Sequence, residues 1–110
     1  MSKPLFIPLR AEYYEAFGDG SKTDELRLYG PRWNERTCHV GRKAVLSRGY
    51  GTQNRMAGHV SKFDKRHISE LCVKDQSAML ICYGAQAMDA WIAVVSMAGL
   101  RIITNEEETK

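Results

Sequence analysis

The most regular pattern in the sequence is an alternation of positions over Thr23–Tyr29. Glu25 and Arg27 fall on one side of this alternation, and Leu26 and Leu28 fall on the other. A period of two is typical of a half-buried strand. We therefore expect a strand here with one polar face.

Two elements are predicted before this strand. Lys3–Leu9 is apolar and β-prone, and Pro8 near its end restricts it to a sheet edge or a strand terminus. Ala11–Phe17 carries aromatic residues at helical spacing with glutamates between them, which predicts a short amphipathic helix ended by Gly18 or Gly20.

The elements after the strand are less regular. Gly30-Pro31 breaks it, and a polar loop is expected over residues 33–39. Alanine and methionine in residues 85–99 would also suit a helix, but β-branched and aromatic residues favour strands. The remaining predictions are strands at Lys43–Ser47 and His59–Phe63 joined by a long glycine-containing arm, a helix over Gln76–Cys82 capped by Asp75 and ended by Gly84, and two final strands, from Trp91 onward and over Arg101–Thr104, split by Gly99.

These elements together predict an α+β fold. Short strands with two or three short helices and scattered glycines are typical of a closed or nearly closed mixed β-barrel, since closure removes exposed strand edges. The chain has 110 residues and no Pro/Gly/Ser-rich divider, so we expect one domain over 1–110. An acidic tail is expected at about 105–110.

Charge is unevenly distributed along the chain. The net charge is +3, but residues 21–67 contain eleven basic and four acidic side chains. A basic segment of this strength suits a polyanion such as RNA, because lysine and arginine neutralise phosphates. A solvated basic surface without a partner is the alternative.

Other classes of protein are disfavoured. The N-terminal residues lack the pattern of a secretory signal, and no apolar run approaches the ~20 residues of a membrane helix, so a cytoplasmic protein without a membrane partner is expected. Cys38, Cys72 and Cys82 lack metal-site spacing and are expected to be buried, reduced thiols. We expect no metal and no cofactor.

The segment Gly20–Arg27 carries the most specific chemistry, reading G-x-K-x-x-E-x-R. Lys22 at the turn offers an ammonium to a phosphate or a developing oxyanion. Glu25 and Arg27 lie two apart, so they share one strand face, and Thr23 adds a hydroxyl on that face. An exposed charged strand is the alternative interpretation.

This motif resembles the signature of the ASCH family, which has a PUA-like barrel. The resemblance continues through Trp33, Gly41 and the run Val45–Gly51, and it spans roughly Pro4 to Val60. It implies a domain that binds RNA or a modified nucleoside at a basic cleft around the motif.

A second candidate lies in Ser47–Gly51, where two glycines bracket Tyr50. Its ring could stack on a base, with Arg48 and Arg55 near phosphates, forming the opposite wall of the cleft. Packing of Tyr50 on the barrel is the alternative. Trp33 could also stack on a base, although a buried tryptophan closing the barrel is the stronger expectation.

Three functions remain in competition. The preferred hypothesis is binding of single-stranded or modified RNA by Lys22, Arg27 and Arg48, with Tyr50 stacking on a base. The second is metal-independent hydrolysis of RNA or of an acetylated cytidine, with Lys22, Glu25 and Thr23 as catalytic candidates. In the amidohydrolases of the family that this chain resembles, a threonine stands at the position of Glu25. This difference puts the amidohydrolase activity in doubt. The third is an adaptor domain that binds an acidic protein.

Overall fold

The computed structural model describes residues 3–51 and 53–103. Five strands and two α-helices lie in this part of the chain. In order they are β1 (Leu5–Leu9), α1 (Ala11–Asp19), β2 (Asp24–Leu28), β3 (Lys43–Arg48), β4 (Arg55–His67), α2 (Val73–Tyr83) and β5 (Trp91–Ile103). Short 3₁₀ turns at Ile68–Glu70 and Gly84–Ala87 flank α2. The expected acidic tail and the Thr104 end of the last strand lie outside the described residues.

The strands form one curled sheet in the order β1-β3-β4-β5-β2. β1 pairs with β3 in parallel, and the other pairs are antiparallel. The predicted α+β class is confirmed. Within residues 3–51 and 53–103 the sheet is a half-barrel with β1 and β2 at its edges, so the expected closure is not found.

Each helix covers a different part of the sheet. Phe17 of α1 packs into the larger apolar cluster, which also contains Leu46 and Val95. Met79 of α2 packs against Ile92 in a second cluster on the opposite face of β5. The sheet therefore has apolar cover on both faces near its β2 edge.

The strands β4 and β5 are longer than their sequence pattern predicted. Each has 13 residues, and β5 continues through Gly99, so the predicted split into two strands is wrong. Gly99 has φ of 66°, which glycine adopts without strain. The pairing accommodates it because the register shifts between Ala57 and His59. A glycine inside a strand pattern marks a bulge here and not an end.

Two helix boundaries test the capping predictions. Gly20 ends α1 with φ of 83°, and its N–H donates to the Phe17 carbonyl. The helix α2 starts earlier than expected, with Cys72 at the N-cap, so the assignment of Asp75 as the cap is wrong. Asp75 lies instead in the first turn, where its negative charge interacts favourably with the positive end of the helix dipole.

The cysteines are only partly as expected. Cys38 is buried, whereas Cys72 and Cys82 are exposed, so the prediction that these two are buried is wrong. None of the helices in the described ranges is long and apolar enough to cross a bilayer.

Candidate functional site

A tight turn places Lys22 at the start of β2. The Asp19 carboxylate accepts a hydrogen bond from the Ser21 N–H at 2.8 Å, and hydrogen bonding to the side chain of Ser21 and then to its backbone lowers the pKa of Asp19. The Lys22 N–H then donates to the Ala16 carbonyl of α1 at 3.1 Å. The turn therefore fixes where the chain leaves α1 and enters the edge strand.

Lys22, Glu25 and Arg27 form one ion-pair cluster. Arg27 Nε lies 2.7 Å from Glu25 Oε2, and Lys22 Nζ lies 3.9 Å from Glu25 Oε1. Glu25 is only 7% exposed, so its carboxylate is buried with a cation at each oxygen. The Lys22 ammonium also lies about 5.5 Å from the ring centroids of Tyr13 and Phe17. The expected convergence of these three side chains is confirmed, while their roles remain predictions.

Arg27 links the two edge strands of the half-barrel. Its Nη2 donates to the Pro8 carbonyl at the end of β1 at 2.9 Å. Its guanidinium carbon lies 4.7 Å from the centre of the Trp33 ring. This side chain therefore holds β1 near β2 where no backbone pairing joins them.

Trp33 is not placed for base stacking. It is 7% exposed and belongs to the larger apolar cluster, with Arg27 and Arg32 over its ring. The burial of its ring corrects the proposal that it stacks on a base. The alternative, a buried tryptophan, is the one found.

A cleft of about 900 Å³ opens around the β2 edge. Its walls come from the end of β1, from α1, from the Ser21–Thr23 turn and from α2. Lys22, Glu25 and Arg27 line it, and so do Lys62 and Asp64 of β4. The volume falls within the ~300–1,000 Å³ typical of ligand pockets.

The cleft is mixed in charge. Six basic and six acidic side chains line it: Arg10, Lys22, Arg27, Lys62, Arg66 and Lys74, with Glu12, Asp24, Glu25, Asp64, Glu70 and Asp75. Most bases of residues 21–67 lie elsewhere on the molecule. The expectation of a basic cleft is therefore not confirmed.

Hydroxyl groups also line the cleft, among them those of Thr23 and Tyr83. Thr23 is exposed, and its Oγ1 donates to the Asp24 carboxylate at 3.2 Å. Tyr83, at the end of α2, was missed by the motif analysis. Burial raises the pKa of Tyr83; Arg27 opposes this effect and Glu25 reinforces it. Only the tertiary packing of α2 brings Tyr83 to this cluster, so the local sequence gave no signal of it.

The second candidate segment lies beside the cleft. Tyr50 is 82% exposed and, with Gly49, lines a smaller hollow of about 300 Å³. This hollow shares Pro8, Leu9, Arg10 and Arg27 with the cleft. Tyr50 therefore borders an adjoining hollow and not the opposite wall of the cleft.

Arg48 and Arg55 lie outside both cavities. Arg48 is half-exposed, and its Nη2 is 4.0 Å from a Glu15 carboxylate oxygen. The Arg55 guanidinium lies 5.1 Å from the Phe6 ring centre, and its Nε donates to the Gly51 carbonyl. The structure thus separates these arginines from the Lys22 cluster.

No group of three or more potential metal-ligating side chains occurs among the described residues.

The fold is shared with solved proteins. Crystal structures of two mutants of ZmASCH from Zymomonas mobilis superpose with TM-scores of 0.61 and 0.63 at 12% sequence identity. The alignments cover 93% and 96% of this chain and 74% and 78% of those chains. No protein-family model and no curated protein sequence matches this chain. The chain therefore has the fold of an ASCH domain.

Proposed function

We propose that this ASCH-type domain binds single-stranded or modified RNA, with one nucleotide in the cleft. The observation that carries the proposal is the placement of Lys22, Glu25 and Arg27 together in a solvent-reached cleft of nucleotide size. Ligand sites combine an apolar lining with a few convergent polar groups, and this cleft has both. The fold shared with ZmASCH supports an ASCH-type domain.

The charges of the cleft indicate which kind of ligand it can bind. With balanced signs, it is better matched to one nucleotide than to a long run of phosphates. Lys22 is the group we assign to a phosphate or a base carbonyl, since an ammonium is a mobile donor with three hydrogens. Arg27 already uses Nε on Glu25 and Nη2 on Pro8, so we assign it mainly a positioning role.

Tyr50 extends the proposed path of the RNA. Its exposed ring lies beside the hollow that joins the cleft, where the neighbouring base can stack on it. Stacking on an aromatic ring is typical of single-strand recognition and contributes about 1–3 kcal/mol per base. Arg48 and Arg55 would meet only an RNA that continues beyond this hollow.

The test is fluorescence anisotropy with a labelled single-stranded RNA at low and moderate salt. We expect Lys22→Ala to weaken binding by about tenfold or more, because a charge-assisted hydrogen bond contributes about 1.5–3 kcal/mol. Lys43→Ala is the matched control, since Lys43 is exposed on β3 outside the cleft. Absence of binding by the unaltered protein would reject the proposal.

Hydrolysis is the second candidate, favoured by the buried Glu25 carboxylate beside the Lys22 ammonium. In this mechanism Lys22 stabilises a developing oxyanion and Glu25 activates water, with Thr23 as the nearby hydroxyl. Incubation with acetylcytidine and with labelled RNA, without added metal, tests it. Product that disappears in Glu25→Gln supports hydrolysis, and absence of product from both substrates rejects it.

A further inference from the structure

The main chain of β2 is paired on one side only, because β2 is an edge strand next to β5. The Thr23 carbonyl accepts from the Met97 N–H, and the Tyr29 N–H donates to the Trp91 carbonyl, each at 3.0 Å. Hydrogen-bonded pairs alternate along an antiparallel ladder, and the register of β2 against β5 has no shift. The odd-numbered residues of β2 therefore direct their N–H and C=O groups toward β5.

The even-numbered residues direct theirs outward. Asp24 and Leu26 line the cleft, whereas Leu28, on the same edge, does not. Across residues 3–51 and 53–103 no hydrogen bond joins the Leu26 N–H or C=O to another protein group. Backbone groups of this kind need a partner from water or from a ligand. The cleft thus contains an open main-chain donor beside an open acceptor.

We propose that the Leu26 main chain recognises the Watson–Crick edge of the nucleobase in the cleft, an inference that rests on the proposed function. Each of the four bases carries a hydrogen-bond donor next to an acceptor on that edge. The Leu26 N–H and C=O offer the complementary pair. Ala78 of α2 also lines the cleft and offers an apolar contact to the face of a base.

The extent of the open edge favours a base over a peptide. Strand addition pairs main-chain groups along an extended segment and needs a continuous free edge. Only two outward-pointing residues of β2 line the cleft, and α1 and α2 also contribute residues to its lining. A planar ligand with one donor–acceptor edge fits this short stretch.

The experiment removes the Leu26 N–H by Leu26→Pro and uses Leu28→Pro as the matched control. Both residues are leucines on the same edge of β2, and both pack against the second apolar cluster. Proline is tolerated on the open side of an edge strand, and it keeps the preceding residue extended. Binding of the four 5′-nucleoside monophosphates is measured by calorimetry, and folding is checked by circular dichroism.

The expected result is a loss of about three- to tenfold in affinity for Leu26→Pro, since one hydrogen bond contributes about 0.5–1.5 kcal/mol. Leu28→Pro should stay within about twofold of the parent. Methylation of the tightest-binding nucleotide at its Watson–Crick ring nitrogen should weaken its binding to the parent. Where that nitrogen is an acceptor, as in adenine and cytosine, its methylation should weaken binding less in Leu26→Pro, which lacks the N–H partner, than in the parent. Equal losses in both proline variants, or no effect of methylation on the parent, would overturn the inference.

A second variant covers the case in which Leu26→Pro does not fold. Replacing residue 26 by the α-hydroxy acid of leucine exchanges the N–H for an ester oxygen and keeps the side chain, and the same change at residue 28 is its control. A nucleotide affinity unchanged at position 26 rejects the inference while leaving RNA binding by the cleft intact. If no nucleotide and no RNA binds the parent, the proposed function itself fails.

Discussion

At the scale of single residues, Arg27 joins parts of the fold that the backbone leaves apart. It contacts Glu25 on its own strand, the Pro8 carbonyl on the opposite edge and the ring of Trp33. A lysine at this position keeps the charge but loses the planar fork and the stacking surface. The guanidinium therefore contributes to stability through its shape as well as its charge.

We expect Arg27→Lys to lower the free energy of unfolding by about 1–3 kcal/mol, the cost of leaving buried polar groups without partners. Urea denaturation measures it. Arg66→Lys is the control, since Arg66 is exposed, pairs with the half-buried Asp64 at 2.8 Å and should change stability much less. Equal effects of the two substitutions would show that Arg27 has no special structural role.

A second side-chain contact joins the end of β2 to the loop that follows it. The Tyr29 hydroxyl lies 2.6 and 2.8 Å from the two Glu35 carboxylate oxygens. Its hydrogen bond lowers the pKa of Glu35, and the same bond is the main reason that the pKa of Tyr29 is raised. The contact therefore stabilises the fold between the two titrations. It is lost as the pH falls through the pKa of Glu35 or rises through that of Tyr29.

Replacing Tyr29 by phenylalanine should raise the pKa of Glu35 toward the ordinary glutamate range. Carbon-detected NMR of the side-chain carboxyls measures this titration directly. Asp19, whose pKa is lowered by Ser21 instead, is an internal reference and should titrate as before. A pKa of Glu35 that does not move would mean that a backbone hydrogen bond and its charged neighbours, and not Tyr29, hold it down.

At the scale of elements, the pairing of β4 with β5 depends on a close approach at Gly58. A methyl group added there would lie 2.5 Å from the Ala98 carbonyl oxygen and 2.9 Å from a Leu100 methyl carbon. The carbonyl is main chain and cannot rotate away. The register shift between Ala57 and His59 falls at this position, so Gly58 and the bulge are coupled.

Gly58→Ala should therefore destabilise the fold by about 1–3 kcal/mol, the usual cost of overpacking. Gly30→Ala is the matched control, because no atom lies within 4 Å of its added methyl group. Thermal unfolding of both variants measures the difference. A Gly58→Ala protein as stable as the control would mean that β4 and β5 separate easily at the bulge.

The sequence predictions succeeded where the interactions are local along the chain and failed where they join distant parts of it. The turn at Gly20 and the strand over Asp24–Leu28 depend on local geometry and periodicity, and both were predicted. The continuation of β5 through Gly99 depends on pairing with β4, which the local pattern does not report. Tyr83 reaches the cleft only through the packing of α2, so it was missed. Local chemistry predicted one wall of the site, and tertiary contacts supply the others.

At the scale of the whole molecule, the position of a charge along the chain is a poor guide to its position on the surface. Of the eleven bases in residues 21–67, Lys22, Arg27, Lys62 and Arg66 line the cleft, and seven do not. Of the six acids that line the cleft, Asp24, Glu25 and Asp64 belong to the same segment, and Glu12, Glu70 and Asp75 belong to its flanks. The segment count suggested a basic groove because most of its bases lie outside the cleft, whereas three of its four acids line it.

This distribution makes the salt dependence of RNA binding a test of where the RNA lies. The affinity for single strands falls with salt at a log–log slope of about −0.7 for each phosphate neutralised. One or two phosphates at the cleft predict a slope of about −1, whereas use of the seven remaining bases predicts about −5. Lys62→Gln should make the slope less negative by about 0.7 if Lys62 neutralises a phosphate. Lys65→Gln removes a lysine from the same strand outside the cleft and should leave the slope unchanged. A steep slope that falls only in Lys65→Gln would place the RNA on bases outside the cleft and away from the Lys22 cluster.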